Sequence, residues 1–168
     1  MTDVTITPLP SAPLHALEIW GDATAMAKRF QAATGFALPV MGQSAGSDAL
    51  RLIRYEPTVW LVEGDASALS NILADDGALT AIGGGVVRIR LSGQGWRTLL
   101  MEGGVFDAEN PDFAAGCCAA TIIDHVAVRL RVLSETECDA YVPLSFSQGL
   151  QHFWEQAATA LPASHLSV

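Results

Sequence analysis

Basic residues are scarce in this sequence. Nine Lys and Arg stand against eighteen Asp and Glu, a formal charge of −9, and a surface of that sign repels a phosphate backbone, which excludes nucleic acid as a partner. Long apolar runs are missing too. Arg88 and Arg90 interrupt the run 86–91, and nothing approaches the roughly 18–20 apolar residues that span a bilayer, so no membrane role is expected. No Lys or Arg precedes Lys28, so the basic start of a secretory signal is absent and a cytoplasmic location is expected. The three cysteines, Cys117, Cys118 and Cys138, are odd in number and include no C-x-x-C spacing. They signal neither a disulfide framework nor a zinc site and read as small buried apolar groups in a reducing compartment. His15, His125, His152 and His165 are scattered, with no H-E-x-x-H, and no metal site is expected.

What is present is apolar material. Half of the 168 residues are hydrophobic and only 16% are charged, which suffices for a sizeable single core. The mean hydropathy of +0.31 is high for a free-standing monomer and points to an apolar face covered by a partner.

Residues 1–13 hold three prolines and no helical period, so an extended arm is expected there. A strand follows over 14–20, then a helix over 23–34 capped by Asp22 and stopped by Gly35, with Met26, Ala27, Phe30 and Ala33 as its apolar stripe. The small residues of 42–47 read as a loop, and 50–55 and 58–62 as a hairpin turning at Glu56-Pro57. Asp65 offers a cap for a helix over 66–74, and the next strand is expected at 86–91. A helix over 94–101, a Gly-rich loop and strands over 117–124, 125–132 and 136–142 come next, the last two joined by a turn at 133–135. The final helix spans 145–161, with Phe146, Leu150, Phe153, Trp154, Ala157, Ala158 and Leu161 at steps of three and four. Strand, helix and hairpin recur in the same order in both halves. The pattern implies an α+β layered sandwich of two similar ferredoxin-like halves, mostly antiparallel, with helices packed on the sheets. The domain runs over 14–161, its halves about 14–92 and 86–161, with a tail at 162–168.

The candidate chemistry is sparse. Gly93-Gln94-Gly95 follows a strand and opens a helix, the context of a dinucleotide turn, but the third glycine position is Thr98 and no acidic residue closes a following strand, so an ordinary turn is the better reading. Gly83-Gly84-Gly85 lacks the Lys-Ser/Thr of a phosphate loop. A nucleophile at Cys117 or Cys118 needs a base, for which His125 is the nearby candidate; buried structural cysteine is preferred. Arg88 and Arg90 share one strand face, and Arg129 and Arg131 another, so four of nine basic residues can form a patch for an anion, a folate tail or an acidic partner loop. Pairing the last hairpin about 133–135 instead sets Arg131 opposite Glu137 and Arg129 opposite Asp139, ion pairs of about 0.2–1 kcal/mol each, and that structural reading is preferred. No catalytic residue is assigned.

Several segments in order carry a resemblance: Leu17-Glu18-Ile19-Trp20-Gly21-Asp22, Thr34-Gly35-Phe36-Ala37-Leu38-Pro39, Glu56-Pro57-Thr58-Val59-Trp60-Leu61-Val62, Val87-Arg88-Ile89-Arg90-Leu91-Ser92-Gly93, and Tyr141-Val142-Pro143-Leu144-Ser145-Phe146 before the helix that bears Trp154. Together they resemble the gamma subunit of heterotetrameric sarcosine oxidase, a relative of the folate-binding glycine-cleavage T-protein (aminomethyltransferase) superfamily. Residues 102–108 and 117–121 depart from the family pattern. The resemblance implies a small subunit without a catalytic site in an assembly that oxidatively demethylates sarcosine. It implies that FAD, FMN, NAD and tetrahydrofolate are held by larger flavoprotein subunits, and none by this chain. Isolated, the chain is expected to self-associate or to depend on those partners. The alternative is a stand-alone folate-binding or one-carbon-transfer protein of the same superfamily.

Overall fold

The structure, a computed structural model, describes residues 3–161. The tail expected over 162–168 and His165 lie outside the described residues. Contacts divide the chain into two compact units, one running from Ser11 to Gly84 and the other joining the residues up to Pro10 to those from Gly85 onward. The opening strand, β1 (Thr5–Pro8), thus belongs to the second unit and is paired there.

The Ser11–Gly84 unit runs β2 (Leu14–Ile19), α1 (Ala23–Thr34), β3 (Ser44–Gly46), β4 (Leu50–Arg54), β5 (Val59–Gly64), α2 (Leu69–Leu73) and β6 (Gly77–Ala81). Its antiparallel sheet has the order β3-β4-β5-β2-β6. As expected, Asp22 caps α1, accepting from the amides of Thr24 and Ala25 at 2.9 and 3.1 Å, and Gly35 ends it at φ 81°. Met26 and Phe30 of α1 are buried with Leu69 and Leu73 of α2 against Leu17, Leu52, Trp60 and Val62 of the sheet. Ala33 of the expected stripe is exposed.

Three expectations for this unit are corrected. The loop at 42–47 contains β3, which pairs with β4; its small residues carry no strand signal, and the pairing alone makes it a strand. The second helix is five residues long, because Asp65 Oδ1 accepts from the Ser67 amide at 2.9 Å and holds a turn ahead of it. β6 was not expected at all. It pairs with β2 from Gly77, where a Cβ would lie 2.3 Å from the Glu18 carbonyl oxygen, so the absence of a side chain there allows the strand to start.

The second unit adds β7 (Val86–Ser92), α3 (Trp96–Met101), β8 (Cys118–Ile123), β9 (Val126–Ser134), β10 (Glu137–Pro143) and α4 (Leu144–Ala160) to β1. Its sheet has the order β1-β7-β10-β9-β8, again antiparallel throughout. Trp96, Leu99 and Leu100 of α3 and Leu150, Trp154 and Ala158 of α4 are buried against Ile89, Leu91, Leu130, Val132, Ala140 and Val142. Burying Trp96 and Trp154 completely contributes on the order of 4–6 kcal/mol each before entropy. Phe146 of the expected stripe is instead exposed. β8 and β9 meet at a two-residue turn, Asp124 and His125, with φ of 46° and 65°, the backbone of a type I′ hairpin without its usual glycine.

The two sheets share one strand order. Reading β3-β4-β5-β2-β6 beside β8-β9-β10-β7-β1, each position matches in sequence order except the last, where the first unit uses the strand that follows it and the second uses the chain's opening strand. Among the described residues the chain forms two antiparallel five-stranded sheets and four α-helices, an α+β layout in the ferredoxin-like manner expected.

Candidate functional site

The four arginines of the expected patch lie on β7 and β9, either side of β10. The register pairs Arg90 with Asp139 and Asp139 with Arg131 in one row, and Arg88 with Tyr141 and Tyr141 with Arg129 two residues along. A step of two keeps a strand on one face, so the four guanidinium-bearing positions do share a face. The hairpin register expected for them is corrected. β9 continues to Ser134, Glu137 pairs with Ser134, and a bulge falls between Glu137 and Cys138, so Asp139 faces Arg131 and not Arg129. The turn falls at Glu135-Thr136 and not at 133–135, and the bulge then shifts the pairing back by one residue.

Asp139 organises this row. Arg90 donates to it through Nε and Nη2 at 2.8 and 3.1 Å, and Arg131 through Nη2 at 3.1 Å. The Asp139 side chain is fully buried, while those of Arg90 and Arg131 are 30% and 10% exposed. Three charge-assisted hydrogen bonds offset the desolvation of the carboxylate, which buried alone would be strongly unfavourable. Arg88 Nη2 donates to the Pro10 carbonyl at 3.0 Å, which ties the chain's opening segment to β7. Arg90 and Arg131 are therefore engaged by a side chain of this protein, an arrangement suited to holding three strands in register rather than to receiving a dicarboxylate tail.

The thiols do not assemble a nucleophile. Burial, first, and then the neighbouring Asp139 carboxylate push the Cys138 thiol far above its ordinary range. Cys117 Sγ donates to the Asp112 carbonyl at 3.2 Å. His125 sits in the β8–β9 turn, whereas Cys118 is at the opposite end of β8, paired with Arg131. His125 is six strand steps of about 3.4 Å from Arg131, about 20 Å along the strand, so the imidazole expected as a base does not reach the thiol.

The glycine turn is filled from within. Gly93 has φ 113°, a Cβ there would lie 2.0 Å from the Asp3 carbonyl oxygen, and the Gln94 amide donates to Asp3 Oδ2 at 3.1 Å. A carboxylate of the chain occupies the place where a dinucleotide phosphate would sit, so the residues do not fit that group.

In the first unit a cleft of about 520 Å3 is lined by Pro13, His15, Asp65, Ser67, Ser70 and Leu79 among others, and His15 Nδ1 is buried there without a hydrogen-bond partner. No spacing in the sequence signals it, because the fold brings His15 of β2 and Leu79 of β6 to the turn over 64–67 and Ser70 of α2. Among the described residues no three His, Cys, Asp or Glu side chains gather to hold a metal ion, and no helix is long and apolar enough to cross a membrane.

No family model matches the chain, and no curated protein matches it in sequence. Its fold is matched. A chain of the heterotetrameric sarcosine oxidase from Corynebacterium sp. U-96, in complex with pyrrole 2-carboxylate, superposes with a TM-score of 0.85 at 19% identity, over 98% of this chain and 88% of that one. The glycine cleavage system aminomethyltransferase T from Bartonella henselae superposes with a TM-score of 0.60 at 16% identity, over 91% of this chain. This chain spans 45% of that second protein. The resemblance drawn from the sequence and the likeness in three dimensions thus lead to the same pair of folds.

Proposed function

We propose that this chain is a small, non-catalytic subunit of a cytoplasmic heterotetrameric oxidase of the sarcosine oxidase type. The observation that carries the reading is the near end-to-end superposition on one chain of such an enzyme, which accounts for both units and leaves little of either chain over. In this reading the larger subunits hold FAD, FMN, NAD and tetrahydrofolate and demethylate the amine. The internal engagement of Arg90 and Arg131 by Asp139 and the occupation of the Gly93 turn by Asp3 support a role without a cofactor of its own. The high apolar content supports a covered face.

Co-expression with the larger subunits of the same host tests it. The chain is expected to co-purify in a yellow complex that oxidises sarcosine, and to be colourless and inactive when purified alone. A chain that stays monomeric and never joins the larger subunits overturns the reading.

A further inference from the structure

Resting on that subunit reading, we infer that the outer face of α4, together with the neighbouring 103–105 segment and the turn residue Asp124, is the surface that docks on a larger, basic subunit. The apolar residues come first. Val105 is 86% exposed and Phe146 is 55% exposed, and both lie in one unit. Short links join the 103–105 segment to α4. Gly104 bridges Ile123 at the end of β8, and the Asp124 amide donates to the Gly103 carbonyl at 3.0 Å. A Cβ on Gly103 would lie 2.7 Å from the Phe153 ring, and Phe153 is seven residues, two helical turns, beyond Phe146 on α4. Monomeric proteins rarely leave large apolar side chains gathered in this way unless something covers them.

Gly149 is the second, independent observation. It lies in the interior of α4, three residues after Phe146 and four before Phe153, on their face. Glycine weakens a helix relative to alanine, so a position like this needs a reason. Within the chain there is none: Gly149 is exposed, its φ is not positive, and a Cβ would meet nothing within 4 Å. The missing side chain makes sense if the backbone of another molecule approaches α4 at that point.

Charge selects the occupant. Glu102 precedes Gly103 and Asp124 is bonded to it, and α4 and residues 102–125 contain no Lys or Arg to offset them. A second copy meeting this face about a two-fold axis would set the same carboxylates against one another. A partner with an apolar hollow rimmed by Lys and Arg is complementary on both counts.

The test measures binding of the chain to the larger subunits of the same host. Gly149→Gln, which replaces an exposed helical glycine with a good helix former, should melt at or above the wild-type temperature and yet bind about tenfold or more weakly. Phe146→Ser should bind more weakly by a similar factor, while Met41→Ser, at an exposed apolar residue of the other unit, should bind like the wild type. Wild-type binding should weaken as salt is raised. If the wild type binds and both Gly149→Gln and Phe146→Ser bind equally well, or only Met41→Ser loses affinity, this surface is overturned and the subunit reading stands. If the same two variants instead abolish self-association of the isolated chain, the occupant is a second copy and the basic partner is wrong. A wild-type chain that binds no larger subunit overturns both.

Discussion

Arg90 grips Asp139 with two parallel hydrogen bonds, Nε to Oδ1 and Nη2 to Oδ2, across the pairing of β7 with β10. The planar guanidinium matches the carboxylate fork, and Arg131 closes the third bond from the other side. Replacing Asp139 by Ala leaves two guanidinium groups without the charge that balances them. We expect a loss of about 3–5 kcal/mol in urea unfolding, with Asp139→Asn losing less. A change below about 1 kcal/mol would show that the row adds little to stability.

Cys138 gives a pH dependence with a definite sign. Its thiol is held above its ordinary value of 9.0 in the folded chain, so the unfolded chain loses that proton first as pH rises. The stability it contributes is complete below pH 9 and is lost progressively above it. Cys138→Ala should flatten that alkaline decline in denaturant titrations. In the native protein, a thiol reagent should modify Cys117, which is partly exposed, well before the buried Cys138.

Two glycines separate backbone need from sequence habit. Gly93→Ala places a Cβ 2.0 Å from the Asp3 carbonyl at φ 113°, and a loss of about 2 kcal/mol or more is expected, with β1 detaching first in hydrogen exchange. Gly84→Ala meets open space at an ordinary φ and should be neutral or stabilise by about 0.4–1 kcal/mol. Equal thermal shifts for the two would contradict the account of the turn.

Arg97 holds the 102–116 segment. Its Nη1 donates to the carbonyls of Ala108 and Phe113 at 2.6 and 2.9 Å, and its guanidinium lies 4.3 Å from the centre of the Trp96 ring. Beneath it Phe106 and Phe113 pack edge to face at 4.8 Å. Arg97→Ala should cost about 2 kcal/mol and speed amide exchange at Phe113, whose amide donates to Asn110. If exchange there is unchanged, the segment is held by its aromatic packing alone.

Elements with local signals were legible. Asp22 and Gly35 bracket α1 because a cap and a left-handed stop act within a few residues of the chain. Alternation marked β9 and β10, and the three- and four-residue steps marked the buried Leu150, Trp154 and Ala158 of α4. β3 and β6 were not legible, since Ser44–Gly46 and Gly77–Ala81 are strands only because β4 and β2 offer them hydrogen bonds. The register about Asp139 was out of reach for the same reason: the turn lies at Glu135-Thr136 and a bulge between Glu137 and Cys138 shifts the pairing again, and no residue type announces either.

By itself the sequence determined the class of fold, the lack of local cofactor and metal motifs, and the face on which the four arginines stand, because composition, periodicity and strand alternation are properties of neighbouring residues. Only the tertiary structure decided that Asp139 holds two of those arginines, that the opening strand completes the second sheet, and that Phe146 and Gly149 look outward from α4. Those outcomes depend on which distant segments meet, and the energy that selects them is shared between residues as far apart as Thr5 and Ser92, where no local pattern can record it.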